Sequence, residues 1–385
     1  MDVYAELGVE PIINAAGTIT TFGGSLMLPE VVEAIAAASR AFVDMHELHL
    51  AAGKRIAELV GVEAAHVCAG AAAGITVMAA ACMAGTDAAK IAQLPETAGM
   101  KRRFVVQRSH RNPFDQALRL SGGEIVPIEA DAGELAAALA AGAAAVYYTF
   151  AWFCTGPALL LPQVVEMAHK AGLPVIVDAA AEVPPVGNLR RFLDEGADLV
   201  AFSGGKAMRG PQSSGLILGR ASLIEACRLN DSPNMSVGRP MKASKEDIAG
   251  LVKAVELYAR RDQAAEVALW EQRVAHILEA LSDLAHVRAW RQLPYGTGQQ
   301  IPHVACTWDE QTLGITHPQL LRSLRQGKPG IAVQLYSPDG YTWSGVKSPE
   351  VRIHPHTLQD GEESVVAQRL RQALVAPPDD ARMGS

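Results

Sequence analysis

From residue 64 onward, short apolar runs alternate with longer segments of helical spacing. The runs are "HVCA", "FVVQ", "EIVPI", "AAVYYTF", "LPVIVD", "DLVAF" and "SGLILG". Between them the pattern predicts helices over 72–83, 113–120, 134–140 and 162–171. Continuous apolar runs of this length are what strands need when both faces are covered. Their alternation with helices predicts an α/β fold around a mostly parallel sheet. Upstream, helices are predicted over 28–42, with Pro29 in the first turn, and over 47–60. After Gly219 the pattern changes. A long helical stretch, of one helix or two, covers 245–284. Strands "HVRAW", "IPHVACTW", "IAVQLY" and "VRIHPH" follow, with helices over 318–325 and 361–374, as in a smaller α+β domain. The first 25 residues, rich in glycine and hydroxyls at "GTITTFGGS", read as an arm or loop. The expected division is 1–45 for arm and first helix, 46–245 for a large domain, 246–376 for the long helix and small domain, and 377–385 for a disordered tail.

Composition narrows the function. The 385 residues are 49% hydrophobic and carry a net charge of -7, without a basic run. This argues against a nucleic-acid partner. The five cysteines form no C-x-x-C pair, so neither a zinc site nor a disulfide framework is expected, and no metal is assigned. They read as free thiols in a reducing compartment. No uninterrupted apolar run is long enough to span a bilayer, and the N-terminus lacks a leader pattern. A soluble, cytoplasmic protein with no membrane partner is the expectation.

Four stretches carry candidate chemistry. Asp178 ends the strand "LPVIVD", and Lys206 follows the strand "DLVAF" across the glycine pair Gly204–Gly205. The glycines are expected to let the backbone approach a ligand. In an open α/β sheet, ligands bind beyond the carboxyl ends of the strands. A lysine and a carboxylate on one such rim suit pyridoxal 5'-phosphate. The amine forms a Schiff base with the cofactor aldehyde, and the carboxylate keeps the pyridine nitrogen protonated. The small-residue turn Gly70–Ala71–Ala72 opens a helix, where backbone N–H groups and the helix dipole suit a phosphate. Ser203 adds a hydroxyl to the same set. His110, between a strand and a helix, is placed to stack on an aromatic cofactor or to shuttle a proton.

Together these residues resemble the fold-type-I pyridoxal-phosphate enzymes, and within them the selenocysteine-synthase-like group. The resemblance runs through "INAAGTITTFGGS", "AGAAAG", "AGLPVIVDAAAEVPP", "GADLVAFSGGKAMRGPQSSGLILGR", "GRPMKASKEDIAGLVKAVE" and "HPHTLQDGEE". It implies a large domain with a mostly parallel seven-stranded sheet plus a small C-terminal α+β domain. It implies Lys206 as the Schiff-base lysine, Asp178 as the partner of the pyridine nitrogen and Ala180 as the residue under the ring. Gly70, Ala71, Ala72 and Ser203 surround the phosphate, and His110 stacks on the ring. Arg352 is the candidate for the substrate carboxylate, with Arg239 of "GRPMK" as its rival. Sites of this fold usually lie in dimers, with the glycine-rich arm and Gln212 as candidates to reach a neighbouring subunit. One departure is the absence of a hydroxyl before the phosphate-loop glycine, in "VCAG". Another is that "INAAGT" begins at Ile13, which with the negative charge speaks against tRNA as substrate. The chemistry implied is activation at Cα of a small amino acid or amino-sugar acid. α,β-Elimination of the ammonia-lyase type is the first expectation. Racemisation or transamination is the alternative, and a non-catalytic cofactor-binding protein the lesser one.

Overall fold

The N-terminal arm, expected to be irregular, contributes a strand, β1 (Ile12–Asn14), which pairs in parallel with residues 330–332. The computed structural model describes residues 3–294, 299–337 and 347–375, so the tail expected at 377–385 lies outside the described residues. The chain divides into two units, Met1–Gly24 with Asp262–Ser385, and Ser25–Arg261.

The larger unit is built on seven strands: β2 (Ala64–Cys68), β3 (Arg103–Gln107), β4 (Glu124–Ile128), β5 (Ala143–Thr149), β6 (Val175–Asp178), β7 (Leu199–Ser203) and β8 (Gly215–Gly219). Their order in the sheet is β2-β8-β7-β6-β5-β3-β4. Neighbours from β7 to β4 run parallel, while β8 is antiparallel to both β7 and β2. β8 alone therefore runs against the rest, and the carboxyl ends of the other six share one edge. Each face of the sheet has its own apolar layer. Val67, Val105, Val177, Val200 and Phe202 pack with Ile56 and Leu251 on one side. Phe104, Tyr147, Ile176, Ala201 and Ile217 pack with Met78 and Ile224 on the other. Burial on both faces is why these strands read as continuous apolar runs rather than alternating ones.

The long helical pattern splits in two. Ser244 caps Lys245–Arg260 with a reciprocal bond from Asp247, and Asp262 caps Gln263–Leu281 by accepting from the Ala265 N–H. Lys245–Arg260 buries Leu251, Val255 and Tyr258 in the core of the larger unit, which extends to Arg261. The smaller unit holds β9 (Val287–Gln292), β10 (His303–Trp308), β11 (Gly330–Ala332), β12 (Gln334–Tyr336) and β13 (Glu350–Ile353). Four of them form an antiparallel sheet in the order β12-β13-β10-β9, while β11 pairs with β1. The run "IAVQLY", read as one strand, is thus two strands in different sheets, joined at Val333. Helices Asn188–Asp194 and Ala221–Asn230 were not expected from the pattern. Among the described residues no helix is long and apolar enough to cross a membrane, and the five cysteines are free.

Candidate cofactor site at the sheet edge

Sheet order places the candidate residues on consecutive strand ends. Lys206 follows β7, Asp178 ends β6, Thr149 ends β5, and His110 closes the turn after β3. Asp178 pairs in register with Thr149 on one side and Ala201 on the other. Its carboxylate is buried. Oδ1 accepts from the Ala180 N–H at 3.0 Å, and Oδ2 accepts from the Tyr147 hydroxyl at 3.1 Å. Burial pushes its pKa up, against the Ala180 N–H, the Lys206 charge and the Tyr147 hydroxyl, which favour the charged form. Lys206 is moved the other way. Burial lowers its pKa, while the carboxylates of Asp178 and Glu182 oppose that shift. An amine poised below its usual range is what a Schiff-base lysine and general base require.

The loop that carries Lys206 is tightly closed. A Cβ on Gly204 would lie 2.2 Å from Ser214 Oγ and 2.6 Å from Leu251 Cδ1. One on Gly205 would lie 2.5 Å from Gln212 Cα. Neither glycine has positive φ. Their role is close packing of the loop on itself, whereas the sequence had pointed to backbone approach to a ligand. The Ser25 hydroxyl donates to the Gly205 carbonyl at 3.0 Å, and Arg209, itself at φ 58°, donates from Nε to the Leu26 carbonyl at 2.7 Å. Lys206 is therefore held on a braced turn.

The phosphate candidates lie where β2 meets helix Gly70–Ala84. Gly70 has φ 87°, and no side chain caps the helix, because Ala69 stands at the cap. Nothing lies within 4 Å of a Cβ built on Gly70, whereas one on Gly215 would lie 2.4 Å from the Gly70 carbonyl carbon. The turn is thus pressed against β8 on one side and open on the other. An uncapped, open helix start beside a lysine and a buried carboxylate fits pyridoxal phosphate: Gly70, Ala71 and Ala72 could hold its phosphate, Asp178 its nitrogen and Lys206 its aldehyde carbon. Ser203, partly buried at the end of β7, donates its N–H to the Ala180 carbonyl at 3.2 Å and so ties Ala180 to the same rim.

His110 is buried. Its ring meets Tyr148 edge-on, with centroids 4.4 Å apart, and Nδ1 lies 3.5 Å from the Thr149 N–H. Burial lowers its pKa to about 4, so the imidazole is neutral at physiological pH. Gln212 is exposed, and Arg239 is partly buried in the segment after Asn230.

Arg352 belongs to the smaller unit, on β13, and is buried there. Its Nε and one terminal nitrogen reach Glu350 Oε1 at 2.7 and 2.5 Å, and its guanidinium lies 3.9 Å from the centroid of the Tyr336 ring. His303, His354 and His356 gather beside it, with centroids 4.8 and 5.7 Å apart along the chain of rings. Glu350 was not singled out from the sequence, although it stands two residues from Arg352 and hence on the same strand face. Tyr147 was also missed, since it sits inside an apolar run that reads as core.

A family model described as L-seryl-tRNA selenium transferase matches residues 158–289, the segment that contains Asp178 and Lys206. A 5'-C-glycyluridine monooxygenase-decarboxylase from a Streptomyces species is 34% identical, over 97% of this chain and 92% of its own length. The chain belongs to the selenocysteine-synthase-like pyridoxal-phosphate enzymes. D-glucosaminate-6-phosphate ammonia lyase from Salmonella typhimurium is 32% identical over 96% of this chain and 97% of its own. A solved structure of a D-glucosaminate-6-phosphate ammonia-lyase superposes with a TM-score of 0.81 at 29% identity, covering 97% of this chain and 98% of that one. Serine palmitoyltransferase, at 15% identity and a TM-score of 0.60, shares the fold. This selenocysteine-synthase-like protein is thus an enzyme with the fold-type-I architecture, and its cofactor is pyridoxal phosphate.

A buried neutral histidine has a thermodynamic signature. Below about pH 6.5 the unfolded chain takes up a proton at His110, while the folded chain does not until about pH 4. The unfolded state binds more protons in that window, so stability falls as pH falls through it, by up to about 3 kcal/mol from this residue. We expect denaturant unfolding of the apoprotein to show a shallower acid loss in His110→Gln than in wild type between these limits. Equal slopes would show that His110 is not held neutral in the fold.

Proposed function

We propose that the enzyme catalyses α,β-elimination of the ammonia-lyase type on a small 2-amino-3-hydroxy acid or amino-sugar acid. The observation that carries this reading is the pairing of Lys206 and Asp178 on adjacent strand ends, in a chain aligned over nearly its whole length with an ammonia lyase. Bound pyridoxal phosphate supplies an electron sink for charge that develops at Cα. Asp178 holds a proton at the ring nitrogen, and its buried position strengthens that interaction. Lys206, with its lowered proton affinity, removes the Cα proton as general base. The β-hydroxyl leaves as water, and water then releases ammonia. The net change converts a 2-amino-3-hydroxy acid into a 3-deoxy-2-oxo acid and ammonia. His110 stays neutral and packs against the aromatic ring without adding charge. Arg352 binds the substrate carboxylate, and Glu350 and the Tyr336 ring fix the plane of its guanidinium.

A second reading, oxidative decarboxylation, is favoured by the likeness to the monooxygenase-decarboxylase. The two differ in what they consume. We expect purified enzyme, offered 2-amino-3-hydroxy acids of the sugar-acid series, to release ammonia and 2-oxo acid at the same rate with and without oxygen, and Lys206→Ala to release neither. Turnover that stops under anaerobic conditions and yields carbon dioxide would replace elimination by the second reading.

The carboxylate role of Arg352 has its own test. A lysine cannot reproduce the planar fork, so Arg352→Lys should retain cofactor absorbance but lose about 1.5–3 kcal/mol in kcat/KM. Unchanged kinetics, with a loss in Arg239→Lys instead, would transfer the role to the "GRPMK" segment.

We further propose a homodimer. Phe42 is wholly exposed at 102% relative accessibility, its neighbour Val43 is exposed, and so is Leu50 eight residues on. Large apolar side chains left this exposed fit a role at an interface. Light scattering should return twice the chain mass, and an active species of single-chain mass would refute the dimer.

A further inference from the structure

Tyr147 lies in the middle of an apolar strand and is fully buried, yet its hydroxyl makes a specific contact with Asp178. Each oxygen of the Asp178 carboxylate receives one protein donor: the Ala180 N–H at 3.0 Å on Oδ1 and the Tyr147 hydroxyl at 3.1 Å on Oδ2. Burial works against the charged carboxylate, and so does a second buried carboxylate, Asp115, which is held by Arg111. Lys206 works in its favour. We propose that Tyr147 is a positioning residue that keeps Asp178 ionised and thereby keeps the shared proton on the pyridine nitrogen of the cofactor. The inference rests on the pairing of Asp178 with that nitrogen, proposed above.

A pyridine and a carboxylate that share one proton have two arrangements. The proton sits on nitrogen in an ion pair, or on oxygen in a neutral pair. Donors to the carboxylate favour the first, and desolvation favours the second. Removing one of two protein donors in a buried site moves the proton toward oxygen. Tyr147 remains a donor throughout, because burial and the Asp178 charge hold its own proton well above the usual phenol range. Strand register makes the contact specific. Tyr147 lies two residues before Thr149, the register partner of Asp178, so both side chains are on the same face of neighbouring parallel strands.

The test uses pyridoxal phosphate labelled with 15N in the ring, bound to wild type, Tyr147→Phe, Tyr147→Met and Asp178→Asn. The chemical shift reports the proton on the ring nitrogen directly, independent of turnover. Loss of a hydrogen bond to a charged group should move the partition about tenfold or more toward the neutral pair. Both Tyr147 variants should therefore shift toward the unprotonated pyridine value. Tyr147→Phe keeps the ring that fills the core, and Tyr147→Met repeats the loss of the donor with a different shape. A wild-type shift in Tyr147→Phe alongside a displaced signal in Asp178→Asn would overturn the inference and leave the Asp178 assignment standing. Wild-type shifts in both would show that Asp178 does not face the nitrogen, and both assignments would fall.

Discussion

A carboxylate buried at the end of a strand must be given donors or it loses its charge. Asp178 is in that position, and much of the larger unit can be understood from how it is satisfied. β5 supplies Tyr147, the turn after β6 folds back to supply the Ala180 N–H, and the loop after β7 brings Lys206 into electrostatic range. These elements are neighbours only because β5, β6 and β7 are consecutive in the sheet and parallel, with their carboxyl ends on one edge. The pair is reciprocal. Burial pushes Asp178 toward neutrality and Lys206 toward neutrality, and the charge of each opposes the shift of the other. On both groups, burial and the charge of the partner therefore act in opposite directions.

Small residues have two different uses around this edge. Gly74 and Gly215 serve packing: a Cβ on Gly74 would lie 3.0 Å from Cys68 Sγ, and one on Gly215 would strike the backbone of Gly70. Gly204 and Gly205 do the same for the lysine loop. Gly70 is different. Its left-handed backbone and the uncapped helix beyond it are not explained by packing, since space lies open on its Cβ side.

The strands of the large sheet were legible because burial on both faces leaves a continuous apolar run, and Lys206 and Asp178 were legible as charges that interrupt such runs at their ends. The short strand Ile12–Asn14 was not, because its partner, Gly330–Ala332, is remote in sequence and local pattern carries no pairing information. "IAVQLY" was legible as extended but not as two strands, since a change of sheet needs only the break at Val333. The helix Asn188–Asp194 is too short for a period to emerge. Tyr147 was hidden for another reason. An aromatic residue in a buried strand reads as core, and its ring is core; only the structure reveals where the hydroxyl points.

Relatives that lose ammonia and relatives that use oxygen to decarboxylate share nearly the whole length of this chain. The role proposed for the Lys206–Asp178 rim, activation at Cα, would serve either chemistry and so does not distinguish them. What distinguishes them is the bond at Cα held perpendicular to the ring, because only that bond breaks with its electrons delocalised. That geometry is set by whatever grips the substrate carboxylate. In this chain the candidate, Arg352, already has Nε and one terminal nitrogen engaged with Glu350. Its partner fixes the guanidinium plane but also offsets its charge, so the Arg352–Glu350 pair is oriented and partly neutralised at once.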